Sequence, residues 1–129
     1  MGVRFPSVAS TTIVTVSVPA AETVIVTTPP LNISLDFAQI ILLWYVLLTS
    51  GTGTTSLVYL LRRGTTTAGA LLNVSAIDQT TAGNNTRRSG VYVDTPGAVA
   101  AQQYSLTLAQ TGLTVNGTVL DVCMIAFAL

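Results

Sequence analysis

The amino-acid sequence predicts an all-β fold, an antiparallel β-sandwich of about eight strands. Three observations support this prediction. The chain of 129 residues contains 21 threonines and many valines, and β-branched residues favour extended strands. Apolar and polar residues alternate along several short segments, which is the pattern of a half-buried strand. Segments containing glycine or proline separate these runs at a spacing of about a dozen residues, which is typical of sandwiches and barrels.

The N-terminal part is predicted to contain an irregular arm followed by the first strands. Residues 1–10 form the arm, and residues 11–129 form a single domain, because a chain of this length is usually one domain. Valines alternate with Thr or Ser in 11–18 and 22–28, and a proline, which cannot donate to a β-ladder, follows each strand. Residues 31–35 also alternate and form a further short strand.

Residues 36–48 are compatible with two structures. Thirteen residues without glycine or proline permit a helix capped by Ser34 or Asp36. We favour a strand, because residues 40–46 are rich in β-branched and aromatic side chains. Both faces of this segment are apolar, as in a strand that is covered on both sides.

The second half of the chain alternates strands with turns. Gly90 is a candidate β-bulge, and residues 94–97 (Asp-Thr-Pro-Gly) are a strong turn signal. The last strand is apolar on both faces and is therefore expected in the middle of a sheet. The predicted strands of this half are residues 56–63, 70–77, 86–93, 102–110 and 118–129.

The composition lacks the residue types on which most catalysis depends. There is no histidine, so Ser-His-Asp triads, Cys-His pairs and imidazole metal sites are excluded. There is no lysine, which excludes a Schiff base. Each of the five acidic residues has a structural interpretation at a turn or strand start, and no EF-hand spacing occurs. We expect a protein that is not an enzyme and holds no metal or cofactor.

The composition of the chain indicates that it binds to other protein molecules. Half of the residues are hydrophobic and 8% are charged, whereas a typical soluble domain has about 25% charged residues. Too few charges remain to cover the surface of a monomer, so an obligate oligomer is expected. The net charge of zero argues against nucleic-acid binding. The longest apolar run, residues 40–48, is too short for a membrane-spanning helix, which needs about 20 residues.

Two pairs of adjacent arginines are the only patterned charges. Neighbouring residues of a strand point to opposite faces, so each pair directs one guanidinium to each side of its sheet. In one interpretation the pairs lie near strand ends and are solvated or bridged to Asp78 and Asp94. In the other they bind an acidic partner surface through bidentate contacts. The pairs are Arg62 with Arg63 and Arg87 with Arg88.

Other individual residues have two interpretations. Trp44 and Tyr45 are expected in the core, but one face of their strand is also a candidate oligomer interface. Cys123, the single cysteine, is expected to be a buried apolar residue of the last strand. Four Asn-x-Ser/Thr triplets are explained by the abundance of Ser and Thr, and they begin at Asn32, Asn73, Asn84 and Asn116.

The pattern of residues 104–108 (Tyr-Ser-Leu-Thr-Leu), of 117–129 and of the Thr/Gly-rich loops resembles that of small single jelly-roll modules. These are the viral and phage virion proteins that decorate or cement capsids, and the tumour-necrosis-factor/C1q-like trimers. The resemblance implies a jelly-roll-like sandwich, a homotrimer, and a larger protein shell, such as a major capsid protein, as partner. RNA-phage coat proteins have a similar length but would imply a basic sheet face and paired helices, which the sequence lacks.

The sequence favours one functional hypothesis over two others. No secretory signal is visible, and the absence of Lys beside abundant Ala, Thr, Val and Arg is typical of a GC-rich genome. We expect a bacteriophage capsid decoration or minor structural protein located in the virion. The alternative is a receptor- or carbohydrate-binding head of a tail fibre or surface appendage, and the third hypothesis is a subunit of an extracellular filament.

Overall fold

A computed structural model describes residues 7–11, 16–19, 21–34, 36, 38–49, 55–80, 84–111 and 117–128. Within these residues the protein is all-β, with eleven strands and no helix, and so no helix that could cross a membrane. The strands are β1 Ser7–Thr11, β2 Val16–Val18, β3 Thr23–Thr27, β4 Leu31–Ile33, β5 Ile40–Thr49, β6 Thr55–Arg63, β7 Ala70–Thr80, β8 Asn85–Asp94, β9 Val99–Gln102, β10 Tyr104–Thr111 and β11 Gly117–Ala128.

The pairing of the strands follows one long antiparallel hairpin. Starting at the chain ends, β1 and β2 pair with β11, β3 with β10, β4 with β9, β5 with β8, and β6 with β7. Ser7 lies opposite Ala126 at one end of this ladder, and Arg63 lies opposite Ala70 at the other. The tip is the turn of residues 64–69, where Gly64 has a φ of 107°, a backbone conformation that glycine adopts without strain.

This hairpin folds onto itself to form two sheets. The pairing of β5 with β11 produces sheet A, in the order β1/β2, β11, β5, β8. The pairing of β6 with β10 produces sheet B, in the order β3, β10, β6, β7, while β4 and β9 form a separate small ribbon. A long hairpin that is folded into two four-position sheets has the topology of a jelly roll. The structure therefore confirms the predicted jelly-roll-like β-sandwich.

The core lies between the inner faces of the two sheets. In β5, buried residues alternate with half-buried or exposed ones over the whole strand, so that one side of the strand faces the core. Trp44 of sheet A stacks on Tyr59 of sheet B, with ring centroids 5.8 Å apart and an interplanar angle of 19°. Gly90 on β8 lies opposite Trp44, and a Cβ at this position would come within 2.6 Å of the indole ring.

Several predictions about single elements are decided by this fold. The segment 40–46 is a strand, not a helix. Gly90 is not a β-bulge, because the ladder between β5 and β8 has no register shift there; glycine is needed to admit the indole ring instead. Residues 7–10, expected to belong to an irregular arm, form strand β1 together with Thr11, because β11 offers them an open ladder edge. Strand β9 was not predicted as a separate strand from the sequence.

Other predicted features lie outside the described residues. They are the first six residues of the predicted arm, residues 12–15 of the first predicted strand, and residues 50–54, 81–83 and 112–116 between predicted strands.

Candidate functional site

The outer face of sheet A carries a broad apolar surface. In β5 the residues that alternate with the buried Leu42, Trp44 and Val46 point away from the core. The ladders of β5 with β8 and with β11 place further side chains on the same face. The outer face of sheet A is defined here as Ile41, Leu43, Tyr45 and Leu47 of β5, Arg87, Ser89, Val91 and Val93 of β8, and Asp121, Cys123, Ile125 and Phe127 of β11.

The register arranges these twelve residues in four rows that cross the sheet. Each row has one residue from β8, then one from β5, then one from β11. The first two rows are wholly apolar, and the last has opposite charges at its two ends. The rows are Val93–Ile41–Phe127, Val91–Leu43–Ile125, Ser89–Tyr45–Cys123 and Arg87–Leu47–Asp121.

The apolar rows are accessible to solvent. Val91 is 63% exposed, Val93 48% and Leu43 38%. Tyr45, Cys123 and Ile125 are half-buried and, together with Leu43, line a shallow apolar depression. Large exposed apolar patches are a common feature of interaction sites on folded domains. This face can pack against the surface of another protein, since it combines exposed apolar side chains with a shallow depression.

The first predicted arginine pair is used inside the molecule. Arg62 on β6 donates from Nε to Glu22 Oε1 at 2.5 Å and from Nη2 to Glu22 Oε2 at 2.9 Å. A third donation goes from Arg62 Nη1 to the Gly69 carbonyl at 2.9 Å. Thr107 donates its hydroxyl to Glu22 Oε1 as well. Glu22 therefore accepts a bidentate, charge-assisted contact across the outer face of sheet B.

Arg63 connects the two sheets at one end of the sandwich. Its Nη2 donates to Asp94 Oδ1 at 2.6 Å and its Nε to Oδ2 at 3.1 Å. Asp94 lies at the end of β8 in sheet A and is 5% exposed. The buried Tyr104 of β10 donates its hydroxyl to the same carboxylate at 2.9 Å. Ion pairing with Asp94, one of the two acids predicted for this role, is thus observed, while the side chain of Asp78 is outside the described residues.

These contacts shift the pKa values of the groups that make them. The hydrogen bonds from Arg62 hold the pKa of Glu22 below its usual range, although partial burial opposes the shift. Glu22 raises the pKa of Arg62, and Asp94 raises that of Arg63. Burial, together with the hydrogen bond to Asp94, raises the pKa of Tyr104 well above its usual value. The pair of Glu22 and Arg62 is therefore stabilised in its charged form.

The second arginine pair lies on β8 and is exposed. Arg87 belongs to the outer face of sheet A, opposite Leu47, whereas Arg88 is opposite the core residue Val46 and points to the other side. The structure does not bring the two predicted pairs together, because Arg62 and Arg63 are on sheet B and the others on sheet A.

The two predicted aromatic interface residues are on opposite sides of β5. Trp44 is 4% exposed and belongs to the core, so its ring is not available to a neighbouring subunit. Tyr45 is on the outer face of sheet A and is half-buried. Sequence reasoning missed Val91 and Val93, the most exposed apolar residues of this face. Their alternation with Gly90 and Tyr92 was the available signal.

The described residues contain no group of three or more Cys, Asp or Glu side chains close enough to hold a metal ion. Three acids bind the backbone or an arginine. Asp36 accepts from the Ala98 amide at 3.3 Å, Glu22 accepts from Arg62, and Asp94 accepts from Arg63.

No protein-family model and no curated protein sequence matches the chain. Its fold is similar to that of a chain in the structure of infectious bursal disease virus, Gx strain, with a TM-score of 0.61 and 10% sequence identity. This similarity covers 97% of the present chain and 34% of the viral chain, so the protein spans about a third of that chain's length. At this identity the likeness shows the fold alone.

Two carbohydrate-related structures are more weakly similar. The CBM22-1-GH10 modules of Clostridium thermocellum endo-1,4-beta-D-xylanase 10B, complexed with xylohexaose, have a TM-score of 0.48 and 18% identity, over 78% of this chain and 19% of that one. A family 16 carbohydrate-binding module has a TM-score of 0.38 and 10% identity, over 92% and 85%. Similarities at this level carry no functional argument.

Proposed function

We propose that this protein is a non-enzymatic structural component of a virion that acts as a homo-oligomer. The observation that carries the proposal is the outer face of sheet A. Two complete rows of that face are apolar, and three of their six residues, Leu43, Val91 and Val93, are exposed. In a monomeric sandwich these outward-facing positions are usually polar. Covering this surface by another protein removes apolar area from water, at roughly 25 cal/mol per Å².

The chemistry of the chain supports the same proposal. The chain has no histidine or lysine, and the carboxylates of Glu22 and Asp94 are engaged by arginines. Few charges and strands that are apolar on both faces are expected of a protein that buries part of its surface by assembly. We further propose a bacteriophage capsid decoration or minor structural protein, assembled as a trimer on a larger shell such as that of a major capsid protein. The proposed location is the virion.

Native mass spectrometry of the purified protein, alone and mixed with shells of a candidate major capsid protein, tests this proposal. We expect a homo-oligomer that remains bound to the shells after they are separated from unbound protein. A chain that stays monomeric at high concentration and leaves the shells bare contradicts the proposal. Binding to immobilised oligosaccharides, with no binding to shells, would instead support a carbohydrate-binding head of a tail fibre.

A further inference from the structure

We propose that the outer face of sheet A binds the same face of a second copy of this chain, about a twofold axis that runs approximately along β5. This inference rests on the proposed self-association and names its surface and symmetry. Three features of the face carry it: the order of its rows, the position of its two charges, and its size.

The charges of the face lie at mirror positions about β5. Arg87 and Asp121 occupy the two ends of one row, with Leu47 between them. Among the described residues, no ion pair is formed by either side chain. The face thus carries one positive and one negative group on opposite sides of its central strand. A surface with this arrangement is complementary to itself, since a twofold rotation exchanges the two sides.

The twofold operation matches every row with itself. The β8 residue of one copy then faces the β11 residue of the other, and the β5 residues face each other across the axis. Arg87 meets Asp121 of the second copy twice, once on each side of the axis. In the apolar rows Val91 meets Ile125 and Val93 meets Phe127. Apolar groups are therefore buried against apolar groups, and each charge is opposite its counterion.

The geometry of packed sheets allows these contacts. Two sheets that pack face to face lie about 10 Å apart, with strand directions within about 30° of each other. An arginine and an aspartate that extend from opposite sheets are together long enough to meet across that distance. The paired charges lie at the rim of the apolar rows, where they set the register of the two copies more than they add affinity.

The size of the face is close to what a specific contact needs. The face is three strands wide, from β8 through β5 to β11, and about ten residues long. At about 4.8 Å per strand and about 3.3 Å per residue, it measures roughly 14 by 33 Å. A pair of such faces buries roughly 950 Å², close to the roughly 1,000 Å² expected of a specific interface.

A twofold contact has a consequence for the number of subunits. By itself it gives a dimer, and in combination with the proposed threefold assembly it gives a hexamer. In both cases the particle contains an even number of chains.

Charge reversal tests the inference directly. R87E and D121R each place like charges opposite each other at two symmetric positions, whereas the double variant R87E/D121R restores both pairs in reversed order. Sedimentation velocity over a range of concentrations measures the dissociation of the even-numbered particle. We expect each single variant to weaken the assembly by roughly tenfold, and the double variant to return it close to the wild-type value.

R88E is the matched control, since it makes the same charge change on the same strand but on the side that faces away from this surface. It should leave the assembly unchanged, and circular dichroism should show all variants folded. A particle with an odd number of chains, or a homo-oligomer indifferent to both single reversals, overturns the inference and leaves the proposed structural role standing. A monomer that still binds shells overturns the self-association alone.

Discussion

The outer faces of the two sheets differ in how their side chains are covered. On sheet B, Glu22 and Arg62 lie across β10, and the outward-facing Ser105 and Thr107 are fully buried beneath them. On sheet A, the outward-facing Leu43 and Val91 have no comparable cover. An ion pair thus covers part of the outer face of sheet B, although Leu71 of that face is exposed, whereas the described residues form no ion pair on the outer face of sheet A. We propose that this difference favours sheet A as the face that binds a second molecule.

The largest difference is expected when one exposed leucine of each face is changed to serine. Leu43 on sheet A is 38% exposed and Leu71 on sheet B is 48% exposed, so the two substitutions remove similar accessible apolar surface. We expect L43S to weaken self-association about a hundredfold, because two copies of the side chain leave the contact around the axis. L71S should change it less than about threefold. Sedimentation velocity measures both, and equal effects would remove the distinction between the faces.

A smaller effect is expected at the connection between the two sheets. D94A leaves the buried Tyr104 hydroxyl without its acceptor and removes the counterion of Arg63. We expect the free energy of unfolding to fall by about 2–4 kcal/mol. Because Arg63 is partly exposed, the change should lie in the lower part of this range. Chemical denaturation measures it. D36A removes an exposed aspartate as control and should cost less than about 0.5 kcal/mol.

The smallest expected effect is the pH dependence of the charged pair on sheet B. The pKa of Glu22 is lowered in the folded protein, so its ionised form stabilises the fold above the unfolded-state pKa of about 4.3. This contribution is lost as the pH falls from about 5 through the folded-state pKa. E22Q lacks it, so the thermal midpoints of wild type and E22Q should converge as the solution is acidified. A difference that stays constant from pH 7 to pH 3 would contradict this role of Glu22.

The alternation of residues along each strand was sufficient to predict most of the sandwich. β5 was recognised as a strand from its β-branched and aromatic residues. The expectation that both of its faces are covered was wrong, since Leu43 on the outer face is 38% exposed within one subunit. β11 was correctly expected in the middle of its sheet. β1 was missed because its residues are small and mostly polar, and it becomes a strand by pairing with β11. Local pattern thus predicts a strand only where its own side chains require burial.

The candidate site was predictable in kind but not in position. The low charge content indicated a docking surface, and Tyr45 was correctly placed on a strand with two apolar faces. Trp44 was grouped with it, although adjacent residues of a strand point to opposite sides. Trp44, and not Tyr45, faces the core. Gly90 on the neighbouring strand leaves room there for the indole ring.

The sequence by itself determined the fold class, the approximate strands and the absence of histidine and lysine chemistry, because period-two alternation and composition are properties of the chain alone. Tertiary structure decided which charges pair and which apolar face remains open. Arg62 pairs with Glu22, forty positions away, since the folding of the long hairpin places β3, β10 and β6 side by side. Contacts of this range depend on strand order, and strand order is set by how the two sheets bury their inner faces together.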